Sequence, residues 1–262
     1  MNIILFHPEE LQKPLPLTDR RAQHILQVLK KKKDDSCKAG IINESVGQLI
    51  ISNVTAENLH VKYQAQSPAL PLNPIILLLG FPRPIQARRV FKDLATLGIE
   101  KIMLTGTDLG EKSYRESNFF KHEEYQNYLA EGAEQAGNSM IPRVDRFWSL
   151  EKALETLRLQ KSGARLLLHP DTKTVKLGSV AVKLDRDREK VQSDTLHSPP
   201  YMISTTHPLI LAIGSERGWT DVEFNKLTLA GFLPVSLGDR ILKTETACIA
   251  AVSILLSKMG VM

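Results

Sequence analysis

Leu209 to Trp219 reads LILAIGSERGW, and Leu237 to Val252 reads LGDRILKTETACIAAV. The first is a short, unbroken apolar run that stops at a glycine. A run of that length without alternation predicts a strand buried on both faces. The second stretch starts where another such run, GFLPVSLG, ends, and it leads into the apolar helix TETACIAAVSILLSKMG. Glycine at a strand end lets the backbone approach a ligand or adopt a positive φ. In a parallel sheet, ligands collect at the carboxyl ends of the strands. The turns after LLLHP, LILAIG and PVSLG are therefore the candidate site, with Glu216, Arg217 and Arg240 as its charged residues.

Outward from these turns, strands alternate with helices. IILLLG (Ile75 to Gly80) predicts a buried strand. PIQARRVFKDLATLG predicts a helix with Ala87, Val90, Phe91, Leu94 and Leu97 on one face and Gly98 at its end. EKIMLTG and ARLLLHP are further strands, and NFFKHEEYQNYLAEGAEQAG reads as one longer helix. TDVEFNKLTLAG opens on a capping box, Thr220 with Glu223. Such alternation predicts an α/β domain with a parallel sheet. Asp171 to Pro208, with VKLDRDREKVQSDTLHSPP, reads as a polar surface excursion.

The first seventy residues follow a different pattern. A strand, NIILF, precedes the helical RRAQHILQVLK. AGII, GQLIISNV and LHVKYQA then follow as short strands between NES and AEN turns. These predict a small barrel or sandwich. The proline-rich SPALPLNP reads as a linker, dividing the chain into 1–70 and 71–262.

Composition narrows the function. With 42% hydrophobic and 24% charged residues, the 262-residue chain is that of a soluble globular protein. No run is long enough to span a bilayer, and MNIILFHPEE lacks the basic start of a signal peptide. The expected location is therefore the cytoplasm. Cys37 and Cys248 are far apart and the histidines are scattered, so no metal site is expected. IILLLGFPRP carries no G-x-G-x-x-G, and neither a P-loop nor a nucleophile elbow is present. The net charge of +5 is compatible with a polyanionic partner without requiring one. Lys30, Lys31, Lys32 and Lys33 form one basic run; Arg88, Arg89 and Lys92 lie off the apolar stripe of their helix. Both patches suit phosphates, although such runs are often only solvated faces.

Several segments resemble the RsmE family of 16S rRNA (uridine-N3) methyltransferases. LAIGSERGWTDVEF resembles that family's IGPEGG(F/L)…E, and LGDRILKTETACIAAV resembles its LGxRILRTETA. EGAEQAGNSMIPRV is similar to EQ(S/C)GR…VPEI, and HILQVLK to HIxxVLR; LLLHP also has a counterpart. These segments keep the family's order along nearly the whole chain. Departures are Ser215, Arg217, Lys243 and Asn138, with Lys112 in LGEKSY where an Arg is usual.

The resemblance implies a SPOUT-type parallel sheet with a deep trefoil knot, preceded by a PUA-like β-barrel that helps bind RNA. It implies S-adenosyl-L-methionine as cofactor, 16S ribosomal RNA or the small subunit as partner, and a homodimer through the C-terminal helix. Cofactor contacts would come from Leu168, His169, Ile213, Gly214, Ser215, Glu216, Gly218, Leu237, Gly238, Ile241 and Leu242. RNA contacts would come from Lys30, Lys31, Lys32, Arg88, Arg89, Lys92, Lys112 and Arg217. Arg240 is the expected stabiliser of the developing anion. Glu216 is a candidate proton acceptor or orienter, or simply a cap on a neighbouring turn. Two alternatives stay open: a related enzyme acting on a ribose 2′-hydroxyl or another base, and a non-catalytic ribosome-associated RNA-binding protein.

Overall fold

The structure, a computed structural model, describes residues 2–159, 163–170, 174–184, 202–205 and 207–262. The N-terminal part holds β1 (Ile4–Phe6), β2 (Leu15–Pro16) and α1 (Arg20–Gln23), the last continued by a π-helical turn over His24–Val28. It continues through β3 (Ser36–Ile41), β4 (Ser45–Val54) and β5 (Asn58–Pro68). These strands form a five-stranded sheet in the order β1-β3-β4-β5-β2. Only β1 and β3 pair in parallel. Along β4, Leu49 and Ile51 are buried while Gln48 and Ile50 are half-exposed, the period-2 pattern of a strand with one face on a core. Ala22 and Ile25 fill that core against Phe6 and Leu59.

The second unit runs β6 (Asn73–Gly80), α2 (Pro84–Leu97), β7 (Ile99–Thr105), α3 (Lys112–Arg115), α4 (Asn118–Lys121), α5 (Tyr125–Ala136), β8 (Arg143–Phe147) and α6 (Leu150–Leu159). It goes on through β9 (Arg165–Leu168), β10 (Val175–Lys176), β11 (Ala181–Leu184), β12 (Met202–Thr205), β13 (Leu209–Ile213), α7 (Asp221–Leu229), β14 (Leu233–Ser236) and α8 (Thr244–Lys258). Seven strands form one sheet, β10-β14-β9-β13-β6-β7-β8, with every neighbour parallel. Ile75, Leu77 and Leu79 of β6 point into the layer of α2, α5 and α8, while Ile76 and Leu78 point towards α6 and α7. Burial on both faces is why IILLLG needs no polar residue; each such side chain contributes about 1.5–3 kcal/mol.

Three segments differ from the sequence reading. The helix expected over 118–137 is broken after Lys121, where Glu123 takes φ +55°. The break lets the rings of Phe119 and Phe120 pack with Phe91 and Tyr125, and Phe119 meets both Phe91 and Phe120 edge-on. Arg146 holds the break by donating to the Phe120 carbonyl and pairing with Glu123. The 171–208 excursion is in part built into the fold: β10 extends the sheet beside β14, and β11 pairs with β12. Leu177, Val180 and Val182 sink into the core with Cys248, Val252 and Leu255 of α8. Residues 185–201 lie outside the described residues. Finally, β8 and α6 were absent from the sequence reading, although Leu150, Ala153, Leu154 and Leu157 have helical spacing and are buried.

The two sheets are clamped together by the EQAGNS stretch. The backbone N–H of Asn2 donates to the Glu134 carbonyl at 3.0 Å. Glu134's buried carboxylate accepts from the Leu5 N–H at 3.4 Å and from Arg20 at 3.2 Å. Asn138 accepts from the Leu70 N–H (3.1 Å) and donates to the Leu70 carbonyl (2.9 Å), pinning the short link between β5 and β6. Ser139 donates to the Ser45 carbonyl at 3.0 Å. Glu134→Ala leaves the Leu5 amide without its acceptor in a buried place. The expected cost is about 1–3 kcal/mol by chemical denaturation, with faster amide exchange at residues 3–5. Unchanged exchange there would show that Glu134 does not hold the contact.

Candidate functional site

At the carboxyl ends of β9, β13 and β14 lies a cavity of about 330 Å³. Leu168, His169 and Pro170 line it after β9; Ile213 and the turn Gly214–Trp219 line it after β13. Leu237, Gly238, Arg240, Ile241 and Leu242 follow from β14, and Thr244 and Ala247 from the first turns of α8. All eleven residues expected around a cofactor thus share one wall, together with Arg217 and Arg240. Pro170, Trp219, Thr244 and Ala247 were not foreseen.

Local geometry explains the glycines. A Cβ on Gly214 would come within 2.7 Å of the Gly218 carbonyl carbon, so the turn can fold back onto the strand end only if residue 214 has no side chain. The Gly218 N–H donates to the Ser215 carbonyl at 2.9 Å, closing that turn. Gly238 has φ +115°, a conformation that disfavours any side chain. The His169 N–H donates to the Val235 carbonyl at 2.9 Å, and the His169 ring meets Phe224 edge-on at 4.9 Å.

The charged groups are partly committed. Glu216 accepts from the Arg83 N–H at the start of α2, Oε1 to N 2.7 Å, so one of its carboxylate oxygens ties the turn to that helix. Arg217 pairs with Glu111 at 3.5 Å. Arg240 is exposed, and among the described residues it has no ion-pair or hydrogen-bond partner. Cys248 lies buried in α8, and burial pushes its thiol above the usual range. Burial also raises the Cys37 thiol.

The residues expected to touch RNA are dispersed. Lys30 (φ +52°), Lys31 and Lys32 form the turn between the π-helical segment and β3. On α2, Lys92 pairs with Glu131 of α5 at 3.0 Å and Arg88 lies 5.8 Å from the Tyr128 ring centroid. Arg89 is exposed. None of these six lines the cavity. Lys112 is exposed at the start of α3, beyond the loop after β7. That loop touches the cavity wall, because Thr107 Oγ1 donates to Ser215 Oγ at 3.2 Å.

Chemically, the cavity suits a nucleoside-like ligand. Its walls combine apolar surface from Leu168, Ile213, Leu237, Leu242 and Ala247 with close main chain at Gly214 and Gly238. The Trp219 indole N–H on this wall is buried without a partner among the described residues. Among those residues no group of His, Cys, Asp and Glu could hold a metal, and no helix is long and apolar enough to cross a membrane. Gly214→Ala is expected to displace the 215–218 turn at a cost of about 1–3 kcal/mol, read by thermal denaturation. A wild-type melting profile would mean that the turn has room to spare.

Comparison with known proteins places this geometry. The family model described as RNA methyltransferase domain matches residues 68–256. Ribosomal RNA small subunit methyltransferase E of Treponema pallidum is 35% identical over 268 residues, covering 98% of this chain and 91% of that protein. Ribosomal RNA small subunit methyltransferase E 1 of Borreliella burgdorferi is 29% identical, covering 99% of each. In fold, the chain is similar to the Neisseria gonorrhoeae ribosomal RNA small subunit methyltransferase E solved bound to S-adenosyl methionine. That match has a TM-score of 0.69 at 21% identity and covers 99% of this chain and 98% of the other. A domain model and a full-length relative agree over the same sheet and the same cavity, and on that ground the chain belongs to the ribosomal RNA small subunit methyltransferase E family.

Proposed function

We propose that this chain transfers a methyl group from S-adenosylmethionine to N3 of a uridine in 16S ribosomal RNA. The observation that carries the reading is the cavity at the ends of β9, β13 and β14, with unpaired Arg240 on its rim, in a chain of this family. Leu168, Ile213, Gly214, Leu237, Gly238 and Leu242 would hold the cofactor, with His169, Ser215, Glu216, Gly218 and Ile241 completing its surround. When bound, the cofactor supplies an electrophilic methyl group on a sulfonium.

The protein's task is to free the N3 lone pair. Uridine N3 carries a proton, and its loss leaves an imide anion spread over the ring oxygens. Arg240, exposed and without an ion-pair partner among the described residues, supplies the positive charge that stabilises this anion. Glu216 keeps one oxygen on Arg83 and has the other available to orient the base or accept the proton. Arg217, Lys112 and the Lys30–Lys32 run lie exposed or half-exposed for phosphates, as does Arg89. A base paired within folded RNA must be turned out to reach such a cavity.

The architecture proposed with this function has residues 1–70 as a PUA-like RNA-binding domain and 71–262 as a knotted methyltransferase domain. In support, the first sheet ends at Pro68 and the second begins at Asn73. For the knot, β13 lies between β9 and β6 and β14 lies outside β9, while α8 returns to pack between α2 and the 177–184 segment. Lys258 donates to the Gly178 carbonyl at 2.8 Å, beneath that segment. For a homodimer through α8, Ile241, Val261 and Met262 leave exposed apolar surface at both of its ends.

The test is mass spectrometry of nucleosides from 16S RNA, free and in the small subunit, incubated with enzyme and cofactor. N3-methyluridine is the expected product. A ribose-methylated nucleoside, or no methylation, would overturn the assignment. Arg240→Ala is expected to lower turnover about 100-fold or more while cofactor affinity stays within a few-fold. Wild-type turnover would remove Arg240 from the chemistry.

A further inference from the structure

The rim of the sheet stays hollow beyond the cofactor cavity. A small hollow of about 100 Å³ lies next to it, bounded by Arg83, Tyr114 and Glu111. Beyond that, about 280 Å³ opens between the loops after β7 and β8, with Lys112, Arg115 and Trp148 on its wall. Adjacent hollows share walls. Ser215, Glu216 and Arg217 bound the first two, and Gly110 and Glu111 bound the last two. The three form one trough along the carboxyl ends of the strands.

We propose that this trough seats the RNA strand on one side of the target nucleotide, with Trp148 as the stacking platform for a flanking base. The proposal rests on the reading of the chain as an RNA methyltransferase and adds a subsite to it. Trp148 is 67% exposed, unusual for an indole. It is also held in place. Arg115 Nη1 donates to the Trp148 carbonyl at 3.2 Å, and its guanidinium lies 5.2 Å from the ring centroid. Tyr114 is pinned in the same way by Arg83, whose Nε donates to the Tyr114 hydroxyl at 3.1 Å. Trp148 and Tyr114 therefore each have an arginine beside the ring. Alternating rings and cations are what a single strand needs, bases stacking on rings and phosphates meeting cations.

Charge agrees with this occupant. The acidic residues of the farther hollow are spoken for within the protein. Glu223 accepts from the N–H groups of Asp108 and Thr220, each at 2.9 Å, and Asp108 accepts from the Thr220 hydroxyl at 3.1 Å. Glu151 pairs with Lys226, and Glu111 with Arg217. Lys112 and Arg115 have no acidic partner among the described residues, so both stand available to phosphates.

The experiment uses the full chain and a short single-stranded oligoribonucleotide of adenosines around one uridine. Binding is expected to quench the fluorescence of wild type, and the quench should fall to the part due to Trp219 in Trp148→Phe, which keeps a ring and binds within a few-fold. Trp148→Ala is expected to raise the KM for 16S RNA about 10- to 100-fold, with S-adenosylmethionine affinity and melting temperature unchanged. A wild-type KM in Trp148→Ala, or a quench of wild-type size in Trp148→Phe, would overturn the subsite alone. A Trp148-dependent quench in a protein that transfers no methyl group would uphold the subsite and sink the proposed activity.

Discussion

The contact between Gly214 and Gly218 governs the layout of the site. Because residue 214 carries no side chain, the turn after β13 can fold flat against its own strand end. That position brings Ser215 against Thr107 and Glu216 against the start of α2. One turn therefore joins the end of β13 to the loop after β7 and to a helix N-terminus. The cavity on one side of the turn and the trough on the other both depend on it.

A second constraint acts at a distance. Glu134 and Asn138, at the end of α5, tie the N-terminal sheet and the 69–72 link to the α/β unit. These contacts fix the N-terminal sheet against the end of α5. A buried carboxylate with a backbone donor and an arginine holds it far better than a surface ion pair, whose charges water screens.

Basic residues follow a similar division of labour. Arg88 and Lys92 are partly taken up in packing α2 against α5, while Arg83, Arg115 and Arg217 sit on the rim beside the hollows. Position on the sheet, not charge count, separates the two groups. A helix face can be basic because its stems cover a neighbour; a cation at the carboxyl ends of the strands stands where the ligand arrives.

Local sequence was enough for the parts whose physics is local. β13 and the Ile75–Leu79 part of β6 are unbroken apolar runs, α2 has its stripe and Gly98 cap, and Thr220 with Glu223 forms the capping box that starts α7. The motifs around Gly214 and Gly238 also led to the family that the comparisons established. Other features arise from contacts between residues far apart in the chain. The break before Tyr125 needs Arg146, the burial of Leu177 and Val182 needs α8, and the role of Glu134 needs Leu5 and Arg20. Trp148 carries no periodic signal at all, since its meaning comes from Arg115 and from the loop across the trough. Periodicity records which face of an element is buried, but not which distant residue will cover it, and only the folded chain decides that.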